Sequence, residues 1–553
     1  MKSGHSKRGR RIVLCVIGCV FVGTSCLFSQ EERKRVTGRV TDEKGELMVG
    51  VAVTEEHTAP VNGVVTDMDG NYIISVASNN SVLKFSYLGY EEKEIRVGSE
   101  KVIDVVLKES TTELNEVVAV AFGKQKKNSV VGAISTVSVK ELKAPTSNLT
   151  TTLGGRIAGV ISYQRSGEPG EDNADFFIRG VTTFGAGKVN PLILIDGIEV
   201  GRTELARLRP DDIESFSVMK DATSTALYGA RGANGVILVT TRSGEEGKVQ
   251  VFLRAENSIS APTKNVKFAD GVTYMNMYNE ALLARDPFAV PYYSREKILS
   301  TAEGINPIVY PNNDWKKMLF KDYTMNQRYD LNVKGGGKIA RYYVSGSFSQ
   351  DHGILKVDKR NNFNSNIDLK SYTLRANMNI NLTRTSELVV RLNGLFDDYT
   401  GPLDGGSEMY RKIVNANPVD FPAFFPPDEA HAHVRHIMFG GISTRSFINP
   451  YADMVKGYRN YDRSRMSAQM EFNQDLSFIT SGLKFRGMFN INRTSRYDTQ
   501  RSYNPYYYEV NYYDRTNNTY TYHNFNESGG TEYLDFNIPG ESRLQSSSVY
   551  IQA

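Results

Sequence analysis

His431, His433 and His436 come nearest, among the residues of this chain, to a spacing that could hold a metal. A zinc protease places two histidines at i and i+4 on one helical face, with a glutamate between them as general base. These three have neither the helical pairing nor the glutamate, and they fall in a Pro-rich stretch (Pro418, Pro422, Pro426, Pro427), so they read as solvated loop histidines. His57 and His352 stand apart as the other reactive candidates. The three cysteines, Cys15, Cys19 and Cys26, lie within the first 30 residues, and a chain cleaved after Cys26 keeps no thiol nucleophile, disulfide or Cys metal site. Gly229, Gly232 and Gly235 are spaced like a phosphate-cradling loop, but no Gly-Lys-Ser/Thr follows and no G-x-G-x-x-G links a strand to a helix. No enzyme, cofactor or metal centre follows from these residues. Charge is nearly balanced, 66 Lys+Arg against 62 Asp+Glu, which argues against a nucleic-acid binder.

The elements that carry these residues are mostly β. The chain opens with an export signal over residues 1–29: Lys2, Lys7, Arg8, Arg10 and Arg11 precede a short apolar run at 12–23. No later stretch reaches 18 apolar residues, so no membrane helix follows. Residues 36–108 alternate short β segments with turns such as Asp69-Gly70-Asn71, the pattern of a small β-sandwich. Residues 213–241, IESFSVMKDATSTALYGARGANGVILVTT, read as strand 213–219, a helix over 222–228 capped by Asp221, a left-handed stop at Gly229, an Asn234-Gly235 turn and strand 236–241.

The order of residues in that block closely resembles the plug-domain signature of the SusC/RagA-like TonB-dependent transporters of bacterial outer membranes. LGGRIAGV at 153–160, FFIRGV at 176–181 and PLILIDGIEV at 191–200 resemble further plug motifs in order and spacing. The resemblance assigns 128–242 to an α+β plug with signature residues Arg179, Gly180, Asp196, Gly197, Lys220, Asp221, Tyr228, Gly229, Arg231, Gly232, Asn234 and Gly235. It places Arg179 toward the polar barrel lumen, and likens 36–108 to the family's carboxypeptidase-regulatory-like extension. It also puts the TonB box at Glu116, Val117, Val118, Ala119 and Val120, within segment 113–127; an extended segment of this kind can add as a strand to a partner's sheet edge. What it implies is an energy-dependent importer of a glycan or oligopeptide in the cell outer membrane. The implied partners are TonB with its ExbB/ExbD complex, a SusD-like surface lipoprotein and outer-membrane lipid. A surface receptor that signals is the alternative, or a non-functional gene fragment.

From residue 249 onward the chain alternates apolar and polar residues over long segments. Leu374, Ala376, Met378 and Ile380 interleave with Arg375, Asn377 and Asn379, and Met466, Ala468 and Met470 with Ser467, Gln469 and Glu471. Mean hydropathy is only −0.38, as expected when every second residue faces lipid. This is an antiparallel transmembrane β-barrel over 249–553, its short turns periplasmic and residues 401–463 an extracellular connection. The 31 tyrosines suit aromatic girdles, with Tyr506, Tyr507, Tyr508, Tyr512 and Tyr513 read as one. Only 305 residues (553 − 248) remain for it, whereas a plugged transporter needs about 22 strands. The barrel is therefore expected to be incomplete, in a chain that is the N-terminal part of a longer protein.

Overall fold

The structure, a computed structural model, describes residues 34–553 except 44, 57–61, 88–89, 109–116, 121–122, 127–133, 181–189, 222–224 and 536–541. The expected export signal with its three cysteines, His57 and Glu116 lie outside the described residues. The chain divides into two compact units, Met1–Glu116 and Val117–Ala553.

The first unit is a β-sandwich. One sheet orders Asn71–Val76, Lys34–Asp42 and Val105–Leu107; the other orders Gly63–Val65, Ala52–Glu55, Val82–Ser86 and Lys93–Arg96. Period-two alternation drives the packing: Tyr72, Ile74 and Val76 point inward to meet Val36, Val53, Leu83 and Phe85. Tyr72 sets its ring edge-on to Phe85 at 5.3 Å and donates its hydroxyl to the Ile103 carbonyl at 2.8 Å. The charged strand Lys93–Arg96 escapes a hydrophobicity reading because it is an edge, where charge guards against further pairing.

The second unit contains an inner α+β domain and a large curved sheet. The inner sheet orders Ile134–Val137, Ile213–Met219, Val236–Thr241, Leu192–Ile195 and Ile198–Glu199. Leu192–Ile195 runs parallel to Val236–Thr241; the other pairs are antiparallel. A separate hairpin pairs Val160–Gln164 with Ala174–Ile178. Leu142, Leu149, Leu153, Phe176, Leu205, Ile213, Phe216 and Ile237 form the core between them. Of the helix expected over 222–228, residues 222–224 lie outside the described residues; Thr225 is α-helical and its N–H bonds back to the Asp221 carbonyl at 3.1 Å, and a 3-10 run follows at Ala226–Gly232. Gly229 breaks that run at φ 55°, ψ −145°, which is not the left-handed helical conformation expected of it.

The large sheet has eight strands in chain order: Gly247–Ser260, Thr324–Gly336, Ala340–His352, Asp368–Asn381, Ser386–Gly401, Gly457–Asp475, Lys484–Ser502 and Ser542–Gln552. All neighbours are antiparallel. The first and last strands each pair with one neighbour, so among the described residues this wall does not close on itself. Its burial is the reverse of a soluble sandwich. Arg375 (8% exposed) and Asn377 (1%) face the inner domain, while Leu374 (60%) faces out. Asn326, Arg328 and Asp330 are likewise buried, with Met325 and Leu331 outside.

Short turns (337–339, 382–385, 476–483) join strands at one end and long connections (261–323, 353–367, 402–456, 503–541) at the other. The long connections are structured. Helices Trp315–Leu319, Gly405–Asn415 and Pro450–Val455 share one core with Phe421 and Phe439, while helices Gly271–Arg285 and Arg295–Glu303 pack around Met275, Tyr293 and Val419. The wall strand that follows starts at Gly457, so Arg463 is a strand residue rather than a loop end. Tyr507 and Tyr508 lie in a strand, Tyr507–Asp514, that pairs with Thr519–Asn524 and Phe439–Gly440; Tyr506 and Tyr508 pack in the core of these connections. These residues are therefore no girdle on the wall.

Gly235 tests the inner packing. Its φ is +87°, and a Cβ there would lie 2.6 Å from Ile178. Gly235→Ala is expected to cost about 2–4 kcal/mol from overpacking and positive-φ strain, read as a lower urea midpoint of the refolded chain. An added Ile178→Ala should recover the steric share only.

Candidate functional site

Two features of the second unit are placed to act. The first is the seam between inner domain and wall. The segment Arg207-Leu208-Arg209-Pro210-Asp211-Asp212 runs from helix Arg202–Arg207 into strand Ile213–Met219, and its charges are turned to the wall. Asp212, 4% exposed, accepts the Tyr343 hydroxyl at 2.8 Å and lies 3.7 Å from Arg375. Asp211 pairs with Arg254 at 2.9 Å and with Lys143. Arg209 reaches Ser347 at 3.2 Å and Asp330 at 3.6 Å. Asn377 donates to the Thr241 hydroxyl (2.8 Å) and the Arg242 carbonyl (2.7 Å), and Gln469 to the Asp196 carbonyl (3.1 Å). The partners of Asp211, Asp212 and Arg209 offset the cost of burying their charges.

The second feature lies at the end of the wall with long connections. Loop 165–173 of the inner hairpin and residues 260–264, 351–355, 406–407 and 410 enclose a cavity of about 820 Å³. Its lining is mixed: Gln164, Arg165, Glu168, Asp172, Arg328 and Asp351 stand beside Phe320, Ile354, Leu355, Ile367 and Tyr410. Glu168 bridges the two sides, accepting the main-chain N–H of Gly406 at 2.8 Å and of Ser407 at 3.0 Å. These are the orphan amides at the start of helix Gly405–Asn415, whose N-cap Asp404 makes no side-chain cap bond. Gly170 (φ +93°) brings the loop over the wall, where a Cβ would lie 2.9 Å from the Tyr461 hydroxyl.

Of the three loop histidines, His433 is exposed, whereas His431 and His436 are packed against tyrosines. His431 stacks on Tyr522 at 4.4 Å and bonds Asp428 at 2.6 Å. His436 stacks on Tyr506 at 4.0 Å and meets the Tyr508 hydroxyl at 2.9 Å, and burial holds its imidazole below the ordinary range. His352 shares Nδ1 with the Met325 carbonyl at 2.9 Å. Among the described residues no group of three His, Cys, Asp or Glu side chains is arranged to hold a metal ion.

Comparison with known proteins bears on both features. Residues 126–236 match the TonB-dependent Receptor Plug Domain, and residues 36–119 the CarboxypepD_reg-like domain. The chain is 33% identical over 370 residues to TonB-dependent receptor P3 of Formosa agariphila, covering 66% of this chain and 33% of that protein. It is 31% identical over 368 residues to TonB-dependent receptor SusC of Bacteroides thetaiotaomicron, covering 65% and 34%. The chain belongs to the SusC/RagA-like TonB-dependent receptors. Among solved structures, the RagAB peptide importer in its open-open state superposes with a TM-score of 0.55 over 70% of this chain and 43% of that one; at 21% identity it supports the fold. The chain spans about a third of the length of the two curated relatives.

In this receptor's terms the inner domain is the plug and the eight strands are barrel wall. The signature residues fall into two groups. Asp196 (φ +50°) and Gly197 (φ +84°) form the turn that touches the wall. Asp196 accepts the Thr241 N–H at 2.9 Å and lies 3.9 Å from Arg391, and Gly197 packs on Met488. The others gather at the far end of the central strands. Lys220 donates to the Ser135 hydroxyl with its stem over Gly159, and Tyr228 covers Leu192, Met219 and Val236. Arg231 pairs with Glu199 at 2.8 Å, and the Gly232 carbonyl accepts the Gly235 N–H at 2.9 Å. The main chain of Asp221 accepts the Thr225 N–H, and Asn234 opens the Gly235 turn. Arg179 (φ +58°) and Gly180 (φ +98°) follow the hairpin strand, and the Arg179 side chain is exposed.

Sequence reasoning missed Glu168, Arg209, Asp211 and Asp212. Four charges within the six residues at 207–212, directly ahead of an apolar strand, were the available signal. Asp212→Ala leaves Arg375 and the Tyr343 hydroxyl without their acceptor, and is expected to lower the unfolding free energy by about 3 kcal/mol, whereas Asp212→Asn should cost less. Glu168→Ala is expected to raise amide exchange across 405–410 while exchange in strand 213–219 stays unchanged.

Proposed function

We propose that this chain serves TonB-dependent import of a polar nutrient, an oligosaccharide or oligopeptide, across the cell outer membrane. The observation that carries the reading is the reversed burial of the wall. A bare apolar outer face suits lipid, and a charged inner face gripping the plug suits a water-filled lumen. A plug seated by ion pairs can be shifted by a pull and can re-seat when water reaches the seam. The 820 Å³ cavity would lie on the extracellular side, the side of the long connections, and its mixed lining, charged and amide side chains beside Phe320, Leu355 and Tyr410, fits the polar groups and apolar faces of a sugar or peptide. Glu168 joins the plug tip to the loop helix Gly405–Asn415, so a substrate in this cavity would meet both at once.

TonB would take hold at 116–120. The backbone of Val117–Val120 pairs antiparallel with Gly123–Lys126, so this strand must leave its own hairpin to add to a partner sheet. A SusD-like lipoprotein would cover the extracellular face, where Phe288 is 94% and Val290 84% exposed.

In cells, Val118→Pro removes a ladder N–H from the TonB box. It is expected to abolish accumulation of labelled oligosaccharides or oligopeptides while leaving their binding at the cell surface intact. Undiminished accumulation would overturn the reading.

A further inference from the structure

The outer face of the wall carries a second pattern. Tyr329, Phe348, Tyr372 and Phe396 are successive cross-strand partners on four neighbouring strands. Ring centroids are 6.3 Å apart for Tyr329–Phe348 and 5.1 Å for Phe348–Tyr372. They share the outward parity of Leu331, Val344, Leu374 and Leu392, and so form one aromatic row across four strands on the outer face, climbing by only ~3 Å per strand in a tilted sheet, as in an aromatic belt at a membrane interface.

That row fixes a scale. Phe348 lies nine residues (348 − 339) above Ile339 in the turn below. At ~3.4 Å per residue this is ~31 Å along the strand, and a tilt of ~40° leaves ~23 Å of height. The apolar band of an outer-membrane barrel is ~25 Å tall. The short turns therefore lie at the opposite membrane interface, within reach of lipid.

Their composition agrees. In each turn an exposed apolar side chain stands beside an exposed cation: Ile339 (73%) beside Lys338, Leu382 (54%) near Arg384, and Phe478 (74%) and Ile479 in the turn that ends at Lys484. Other cations at this end are already neutralised: Lys334 by Glu245 and Arg341 by Glu387, both at 2.8 Å. Among the described residues no carboxylate lies within 4 Å of the Lys338, Arg384 or Lys484 head groups. Asp475, the acid that feels Lys484, is engaged by the Ser477 N–H at 2.8 Å.

We propose that this rim is a binding surface for anionic phospholipid: Lys338, Arg384 and Lys484 meet lipid phosphates while Ile339, Leu382, Phe478 and Ile479 enter the acyl boundary. Long basic side chains near an interface place stem and head in this way. The rim pins the depth of the wall, so that a pull on the plug does not displace the barrel with it. The proposal rests on the membrane reading above.

The test uses the full chain reconstituted in phosphatidylcholine vesicles with or without a quarter phosphatidylglycerol. Vesicle flotation first reports insertion, and spin-labelled phosphatidylglycerol and phosphatidylcholine then report the lipid held at the protein surface. The wild-type chain should hold phosphatidylglycerol several-fold more than phosphatidylcholine, with the preference falling as salt is raised. The triple variant Lys338→Glu, Arg384→Glu, Lys484→Glu should float equally well and lose the preference. Failure of the wild-type chain to float would sink the membrane reading itself. Flotation without any lipid preference, or a preference unchanged by salt and by the triple variant, would overturn the rim proposal alone.

Discussion

Desolvated polar contact between plug and wall is the constraint on which the rest of the second unit depends. A wall strand that turns leucines outward must turn its other residues inward, and here those are Arg328, Asp330, Arg375, Asn377, Arg391 and Glu471. Away from water each would cost several kcal/mol without a partner. The plug supplies partners through Arg209, Asp211, Asp212 and Asp196, and the wall supplies the remainder, as where Glu471 accepts from Arg391 and Arg486 at 3.1 and 2.8 Å. Buried pairs of this kind add little net stability, since desolvation offsets their attraction. What they do fix is register: Asp212 has both its partners only when the plug sits at one height.

Cohesion is arranged differently on either side of that seam. The plug holds itself together by apolar burial, with Leu142, Leu153, Phe176, Phe216 and Ile237 in one cluster. The wall holds itself by ladder hydrogen bonds. The extracellular connections form a third packed body, in which Trp315 donates its indole N–H to the Asn417 carbonyl at 2.9 Å and Tyr451 packs against Phe424 and Phe439. Force applied to the plug thus meets ion pairs at the seam, which water can re-solvate, before it meets any apolar core. Glu168 is the exception, a plug carboxylate bonded to the start of a loop helix. It ties the plug loop beside the cavity to the long connections.

What local chemistry dictates was legible in the sequence: the alternation of wall strands, the sandwich strands, the turn at Asp196-Gly197 and the strands flanking the plug signature. Period-two burial and positive-φ glycines are properties of neighbouring residues, and no distant contact is needed to see them. The stop at Gly229 was misjudged because a glycine can take positive-φ angles outside the left-handed helical region, and helical turns resume beyond it to Gly232. The tyrosines at 506–508 were misplaced because their composition suits a membrane belt and a loop core equally well. Only the pairing of Tyr507–Asp514 with Thr519–Asn524 and Phe439–Gly440 separates the two.

The sequence by itself thus determined which residues of the wall face outward and which face the plug, and where the plug begins its central strands. Tertiary structure alone decided which lumen charges meet. Asp212 and Tyr343 are 131 residues apart, and nothing local distinguishes Arg375 from Arg391 as the partner of one aspartate or another. The same holds for the aromatic row on the outer face. Tyr329, Phe348, Tyr372 and Phe396 become one row only when four strands take their register, because which residues stand opposite one another is set by hydrogen-bond pairing between strands.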